Sequence, residues 1–233
     1  MEKLGLQNID GLNLNSNNTL GSFARLKEKT FAKDTTAGHY EICGVVMQHP
    51  YLTFPNGFPN ELLEKIYKET CVEFLGNKVA SGTEIIKELG KTHLQTKKPI
   101  LYTSADSVLQ IATHTDVYPV EKLYDLCEKI RKICDTPYNV GRIIARPFAT
   151  NDKGEFYRLE SRKDYALSCP EKNLLDKLKE NNLDTVCIGK IEDIFNFRGI
   201  TESYHSRNNG EGIKEILKHS KREDIRRIVN NPE

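Results

Sequence analysis

From residue 99 to residue 190 the chain alternates short apolar runs with amphipathic stretches of three-and-four periodicity. That alternation confines it to helices layered on a sheet, an α/β or α+β arrangement. The clearest stretch follows Pro119, where Val120, Leu123, Cys127, Ile130 and Cys134 predict a helix with one core-facing stripe. Residues 99–103, 141–148 and 184–190 read as strands and residues 172–181 as a helix. Upstream, Asn60 caps a helix through Thr70 that turns Leu62, Leu63, Ile66 and Tyr67 inward, and Ser81-Gly82-Thr83-Glu84 opens another that Gly90 stops after Leu89. Residues 50–59, Phe54-Pro55-Asn56-Gly57-Phe58-Pro59 among them, hold too many prolines and turn residues for a regular element and mark a domain boundary. Residues 1–22 read as loop and turn.

A compact chain of 233 residues buries roughly 70–75% of its unfolded surface, enough for a substantial core. Its charges nearly cancel, 34 Lys and Arg against 33 Asp and Glu, which leaves no basic stripe for nucleic acid and no polybasic tether for a membrane. No apolar run approaches the roughly 20 residues of a membrane span, and the first residues lack the apolar stretch of a secretory signal, so the sequence predicts a cytoplasmic protein. The six cysteines form no C-x-x-C pair and the six histidines no H-x-x-x-H pattern. Buried reduced thiols are expected, and no metal cage is recognisable.

Lys33-Asp34-Thr35-Thr36-Ala37-Gly38-His39 sets two hydroxyls between a charged pair and a glycine. A threonine hydroxyl is a weak nucleophile, and no protein base adjoins these two in sequence, so a reactive Thr35 calls for a metal. The same residues suit a helix start, with Asp34 or Thr35 capping the first turn and Gly38 easing a tight backbone. Arg142 and Arg146 are four apart, which puts both on one face of a strand, and two guanidinium forks suit a phosphate dianion. Arg158 and Arg162 repeat the spacing beyond a turn at Asn151-Asp152-Lys153-Gly154. Arg142 also interrupts an apolar strand, where a buried charge must find a partner. Lys190 follows Ile188-Gly189 at a strand end, a suitable place for a phosphate-binding lysine. A Walker A loop is excluded by Asp184 where glycine is required and Ile191 where Ser or Thr is required. No G-x-G-x-x-G opens a helix after a strand. A sugar-phosphate site with a hydroxyl nucleophile remains.

In order along the chain, Lys33-Asp34-Thr35-Thr36-Ala37-Gly38-His39, Phe54-Pro55-Asn56-Gly57-Phe58-Pro59, Ala80-Ser81-Gly82-Thr83-Glu84-Ile85, Tyr102-Thr103-Ser104-Ala105-Asp106-Ser107-Val108, Val140-Gly141-Arg142-Ile143-Ile144-Ala145-Arg146-Pro147-Phe148, Asp164-Tyr165-Ala166-Leu167 and Ile188-Gly189-Lys190-Ile191 closely resemble the prokaryotic phosphopentomutase family of the alkaline phosphatase superfamily. The resemblance runs to about Gly212. It implies interconversion of ribose 1-phosphate and ribose 5-phosphate and of their deoxy forms, a step that links nucleoside salvage to pentose metabolism. It also implies two manganese ions beside a phosphorylated Thr35 and a bisphosphorylated sugar as activating intermediate. The substrate positions it implies are Ser104, Val108, Arg142, Ile144, Arg158 and Lys190.

The fold so implied is α/β, a partial alkaline-phosphatase-like core with an inserted α+β cap domain. Residues 1–49 would be a core fragment carrying the nucleophile, 50–167 the cap, and 168–233 a core fragment with a divergent tail. The family's opening strand with its metal-binding aspartate and its closing aspartate and histidine cluster have no counterpart here. The resemblance therefore implies a chain truncated at both ends, without metal ligands apart from a contact by Thr35, and inactive alone. Ala32 stands where the family usually has glycine, a change expected to tighten the turn before Thr35. Two readings stay open: a truncated mutase whose partners are pentose phosphates and a complementary fragment of the same enzyme, and a non-catalytic sugar-phosphate-binding or interaction module derived from the cap.

Overall fold

In the computed structural model the helix after Pro119 is α4, Val120–Ile133, and Leu123, Leu126, Cys127, Ile130 and Ile133 are its buried residues. The structure describes residues 20–21, 24, 26–135 and 137–222, and the backbone of 225–231. The other helices are α1 (Thr35–Ile42), α2 (Asn60–Thr70), α3 (Gly82–Thr96), α5 (Leu174–Glu180), α6 (Ile191–Ile194) and α7 (Asn209–His219). The strands are β1 (Leu75–Val79), β2 (Ile100–Thr103), β3 (Val108–His114), β4 (Arg142–Thr150), β5 (Phe156–Arg158), β6 (Lys163–Ala166), β7 (Asp184–Gly189), β8 (Glu202–Tyr204) and β9 (Ile225–Asn231).

Strands β1 to β6 form one mixed sheet in the order β1-β2-β3-β4, with β5 and β6 sharing the outer edge of β4. β1 runs parallel to β2 and β3 parallel to β4, whereas β2–β3, β4–β5 and β4–β6 are antiparallel. Alternation along each strand separates two faces. On one, Leu101, Leu109, Ile111, Ile143, Ala145 and Tyr165 meet Leu62 and Ile66 of α2 and the stripe of α4. Side chains of this size contribute about 1.5–3 kcal/mol each on full burial. On the other, Ile100, Tyr102, Ala112 and Phe148 meet Ile85 and Ile86 of α3. The second sheet, β8-β7-β9, is parallel throughout. Its central strand is buried from Thr185 to Gly189, and α5, α6 and α7 pack against it. Helix α1 joins this second unit through Tyr40, whose ring meets Phe195 edge-on.

Several local expectations need correction. Helix α3 passes through Gly90 to Thr96 because that glycine is a packing residue: a Cβ there would stand 2.5 Å from the Phe156 ring. The N-cap of α2 is Pro59, and Asn60 is its first helical residue. Tyr67, placed inward by periodicity, is half exposed, and Val120 is only partly buried. Helix α5 starts at Leu174, where the Asn173 side chain and Asp176 form a reciprocal capping box. Phe54 and Phe58 are buried in the core of the larger sheet, and Asn77 exchanges hydrogen bonds with both the N–H and the carbonyl of Phe58, so residues 50–59 are more than a linker. Gly57 lies there at φ 82°, with the Asn77 carbonyl 2.3 Å from where a Cβ would sit. Five of the six cysteines are buried and Cys71 is exposed. The loop reading of residues 1–22 lies largely outside the described residues, as do the side chains of β9.

Behind the sheet, His93 fastens α3 to β3. Its Nδ1 lies 2.8 Å from the Lys98 carbonyl and must donate, while Nε2 accepts the His114 N–H at 2.8 Å. Both ring nitrogens are used by the neutral form, and burial lowers the pKa from 6.5. The unfolded chain thus binds the extra proton first, so the contribution of His93 is complete above pH 6.5 and is lost as pH falls below it. In melting experiments between pH 8 and pH 5, the stability difference between the parent and His93→Gln should shrink on the acid side, by at most about 1.4 kcal/mol per pH unit. Parallel melting curves at all pH values would contradict this account.

Candidate functional site

Asp34 begins the site. Its Oδ1 accepts from the Thr36 N–H at 2.9 Å and from the Thr36 hydroxyl at 2.8 Å, which caps α1. Because Thr36 spends its proton on Asp34, the Tyr51 hydroxyl 3.3 Å away donates to it. Burial raises the pKa of Tyr51. The other oxygen, Oδ2, accepts from Nε and Nη2 of Arg142, both at 3.0 Å. The Asp34 side chain has no solvent exposure, and that of Arg142 has 17%. Here is the partner that a charge inside an apolar strand required. Nη1 of Arg142 reaches Asp164 at 3.3 Å, and Asp164 in turn takes two bonds of 2.6 Å from Arg162.

Capping by Asp34 leaves Thr35 as the first residue of α1, exposed, at the rim of a cleft of about 350 Å³ lined also by Glu28, Thr30, Lys33, Asp106 and Arg142. His39 is the only imidazole near it. Nδ1 of His39 lies 2.7 Å from the Thr35 carbonyl and 3.4 Å from the Thr35 hydroxyl. A carbonyl only accepts, so Nδ1 carries its proton there and is unable to take one from the hydroxyl. Gly38 has a clear surrounding and no left-handed φ, so it relieves no tight backbone. Ala32 likewise sits outside the left-handed region, so its methyl costs the turn nothing.

The expected substrate positions fall into three places. Val108, Arg142 and Ile144 share one face of β3 and β4, with Val108 directly opposite Arg142. Arg158 lies on that face further along, opposite Phe148, and is exposed. Ser104 is in the turn between β2 and β3, where its hydroxyl accepts from the Asp106 N–H at 3.4 Å. Lys190 belongs to the other unit: it is exposed at the end of β7 and is the N-cap residue of α6, the helix packed beside α1. Helix α3 covers this face of the sheet over β1 to β3 and β5, and the strip from Arg142 through Ile144 to Arg146 lies beside it, with both arginines partly buried and Ile144 buried between them. Asp164 and Gln110 flank Ile144 on that strip, and Tyr102 lies beyond Gln110. Sequence reasoning passed over Asp34 as an ion-pair partner, although the unexplained charge of Arg142 was its signal. Among the described residues no three or more His, Cys, Asp or Glu side chains are grouped to hold a metal ion.

The Arg142 geometry makes a stability prediction. Arg142→Ala leaves the buried Asp34 carboxylate without its cation, and breaking such a pair costs about 3–5 kcal/mol. Chemical denaturation should show that loss for Arg142→Ala, and the double variant with Asp34→Asn should recover part of it. Additive losses in the double-mutant cycle would mean that the pair is not coupled.

Curated relatives resemble the chain over nearly its whole length. It is 49% identical over 219 residues to a phosphopentomutase of Dictyoglomus thermophilum, which covers 93% of this chain and 56% of the relative. A phosphopentomutase of Clostridium kluyveri is 49% identical over 222 residues, 94% of this chain and 57% of the relative. One from Clostridium acetobutylicum is 43% identical over 233 residues, 99% of this chain and 60% of the relative. The chain thus spans a little over half the length of the curated relatives it matches. No family model matches it. Identity of 43–49% sustained over 93–99% of its residues makes this chain a member of the phosphopentomutase family.

Proposed function

We propose that this chain supplies the phosphoryl-accepting threonine and the sugar-phosphate-binding face of a phosphopentomutase, which interconverts (deoxy)ribose 1-phosphate and (deoxy)ribose 5-phosphate through a bisphosphorylated sugar. The observation that carries the reading is Thr35, exposed at the first turn of α1 and at the rim of a cleft shared with Arg142, in a chain so similar to phosphopentomutases. In this reading the larger sheet with α2, α3 and α4 is a cap, and the smaller sheet with α1 belongs to an alkaline-phosphatase-like core. Pentose phosphates are the ligands, and the setting is the cytoplasm.

Phosphoryl transfer to Thr35 forms a bond from its Oγ1 to phosphorus, breaks the bond to the donor sugar oxygen and releases the hydroxyl proton. The chain's own contribution is placement. Asp34 fixes the turn, His39 holds the Thr35 carbonyl, and the amide end of α1 favours the charge of a phosphate at its first residue. Arg158 and Lys190 are exposed charges suited to the phosphate of a sugar, and Val108 and Ile144, buried on the same face as Arg142, back the site from beneath. Two manganese ions would supply the activation that no side chain here provides, yet the described residues do not fit them. Both Asp34 oxygens are already engaged, and among the described residues no three or more His, Cys, Asp or Glu side chains are grouped to hold a metal ion. Metal ligation in this reading belongs to residues other than those described, from the same polypeptide or a complementary fragment.

Two measurements test the reading. Calorimetric titration of the chain should show binding of ribose 5-phosphate and none of free ribose. A coupled assay of the chain alone, with manganese and a bisphosphate primer, should give no mutase turnover. Absence of ribose 5-phosphate binding would remove the sugar-phosphate role, and turnover in the enzymatic range of about 1–1000 per second would show that the described residues suffice for metal ligation.

A further inference from the structure

The larger sheet carries a second cleft, at the end opposite Arg142. Strand β2 starts there at Ile100 and its antiparallel neighbour β3 ends there at His114, whereas Val108, the partner of Arg142, begins β3 at the other end. Three helix ends close around it: the last turns of α2 and α3 and the first turns of α4. Its volume of about 580 Å³ is that of a small-molecule site. Tyr67, Val72, Pro99, Tyr118 and Leu126 form its apolar wall. Tyr67 thereby finds a role: periodicity sends it inward with Leu62 and Ile66, it is 50% exposed, and it lines the cleft.

Backbone conformation singles out the same place. Seven described residues other than glycine have positive φ, and four of them are Asn, a type that tolerates it. Of the other three, Cys71 at φ 55° and Lys97 at φ 60° line this cleft, as the residues that end α2 and α3. Glycine is the usual residue at such helix ends. Here each carries a side chain into the cleft wall instead.

Four lysines, Lys97, Lys98, Lys122 and Lys129, line the cleft against two acids, Glu73 and Asp125. Glu73 pairs with Lys98. Among the described residues the other three ammonium groups stand within ion-pair distance of no carboxylate. Lys97 offsets the negative end of α3, so helix electrostatics alone account for it. Lys122 has no such role: it lies in the first turn of α4, at the positive end of that helix, and sits 4.4 Å from the centroid of the Tyr118 ring. Lys129 follows two turns on, along the same face of α4. Unmatched cations thus face aromatic rings across one concave surface.

We propose that this cleft binds a small organic anion that carries a flat ring, of the nucleoside monophosphate class, with its ring against Tyr67 and its phosphate among Lys97, Lys122 and Lys129. The site lies at the other end of the sheet from Thr35 and Arg142, so the inference is independent of the sugar-phosphate reading.

Cys71 supplies the readout. It is the one exposed cysteine of six and lies in the cleft wall, so its alkylation by iodoacetamide in the folded whole chain, followed by peptide mass spectrometry, reports occupancy. Adenosine 5′-monophosphate at millimolar concentration should slow that reaction. Adenosine, inorganic phosphate and ribose 5-phosphate, each without either the charge or the ring, should leave it unchanged. Calorimetric affinity for adenosine 5′-monophosphate should fall about 10-fold or more in Lys97→Glu, in Lys129→Glu and in Tyr67→Leu. All three side chains are exposed, so the melting temperatures should stay close to that of the parent. An unchanged alkylation rate with adenosine 5′-monophosphate would overturn the proposal, and so would parent-like affinity in the double variant of Lys97→Glu and Lys129→Glu. Equal protection by inorganic phosphate would overturn the assignment of the ligand class. Absence of ribose 5-phosphate binding would bear on the sugar-phosphate reading alone. The alkylation measurement uses the parent chain, so it stays decisive should a variant melt early.

Discussion

One buried carboxylate organises this molecule. Asp34 accepts the amide and hydroxyl of Thr36 on one oxygen and two nitrogens of Arg142 on the other, and in doing so joins two units that share no strand. Each half of the arrangement depends on the other. Without the cap, the first turn of α1 would not present Thr35 outward; without Arg142, a carboxylate with no solvent exposure would be uncompensated. Tyr51 extends the chain of bonds into the segment leading to α2, and Gly141 permits it, because a Cβ at that glycine would meet the Tyr51 ring at 3.0 Å. Tyr40 makes a second crossing, with its hydroxyl 2.6 Å from the Leu167 carbonyl and 3.0 Å from that of Ile194. Both chain passages between the units are thus held beside the turn that carries Thr35.

Strand β4 then divides its labour by the two-residue period. Ile143 and Ala145 point into the core under α2 and α4, while Arg142, Ile144 and Arg146 point to the face that α3 covers only in part. A polar strip on the back of a packed sheet is affordable only if its charges are matched or left to a ligand. The parallel register with β3 adds Val108 and Gln110, and the antiparallel register with β6 adds Asp164. A slip of one residue in either pairing would put Arg142 into the core and Ile143 on the strip, so packing on one face fixes the chemistry on the other.

Much of this was legible from residue order alone. The α4 stripe, the strand through Arg142 and the shared face of Arg142 and Arg146 follow from periodicity, which is a local property. The helix start at Asp34 followed from capping chemistry, and the motif resemblance marked Thr35. What escaped were facts set by contacts distant in sequence. Gly90 reads as a stop signal until Phe156, 66 residues later, fills the space above it. Residues 50–59 read correctly as irregular chain, but nothing local shows that Phe54 and Phe58 reach the core. Arg142 reads as a buried charge in need of a partner, and only the fold shows that Asp34, 108 residues earlier, supplies it. Local pattern proposes a role for such a residue, and tertiary pairing decides whether its charge is free.

That distinction separates the two ends of the strip from Arg142 to Arg146. Near Thr35, Arg142 and Arg162 are matched by Asp34 and Asp164, so the local charges cancel and the guanidinium nitrogens of Arg142 are all engaged. Near α3, Arg146 and Arg158 have no carboxylate within ion-pair distance among the described residues, and a helix end without a side-chain cap adds to their field. Arg142 is thus held by two carboxylates, whereas Arg146 is held by the neutral amide of Gln110. The electrostatics of the strip therefore differ between its two ends. Polarity of this kind gives a symmetric-looking row of arginines a direction, because pairing contacts distant in sequence neutralise one end of it and not the other.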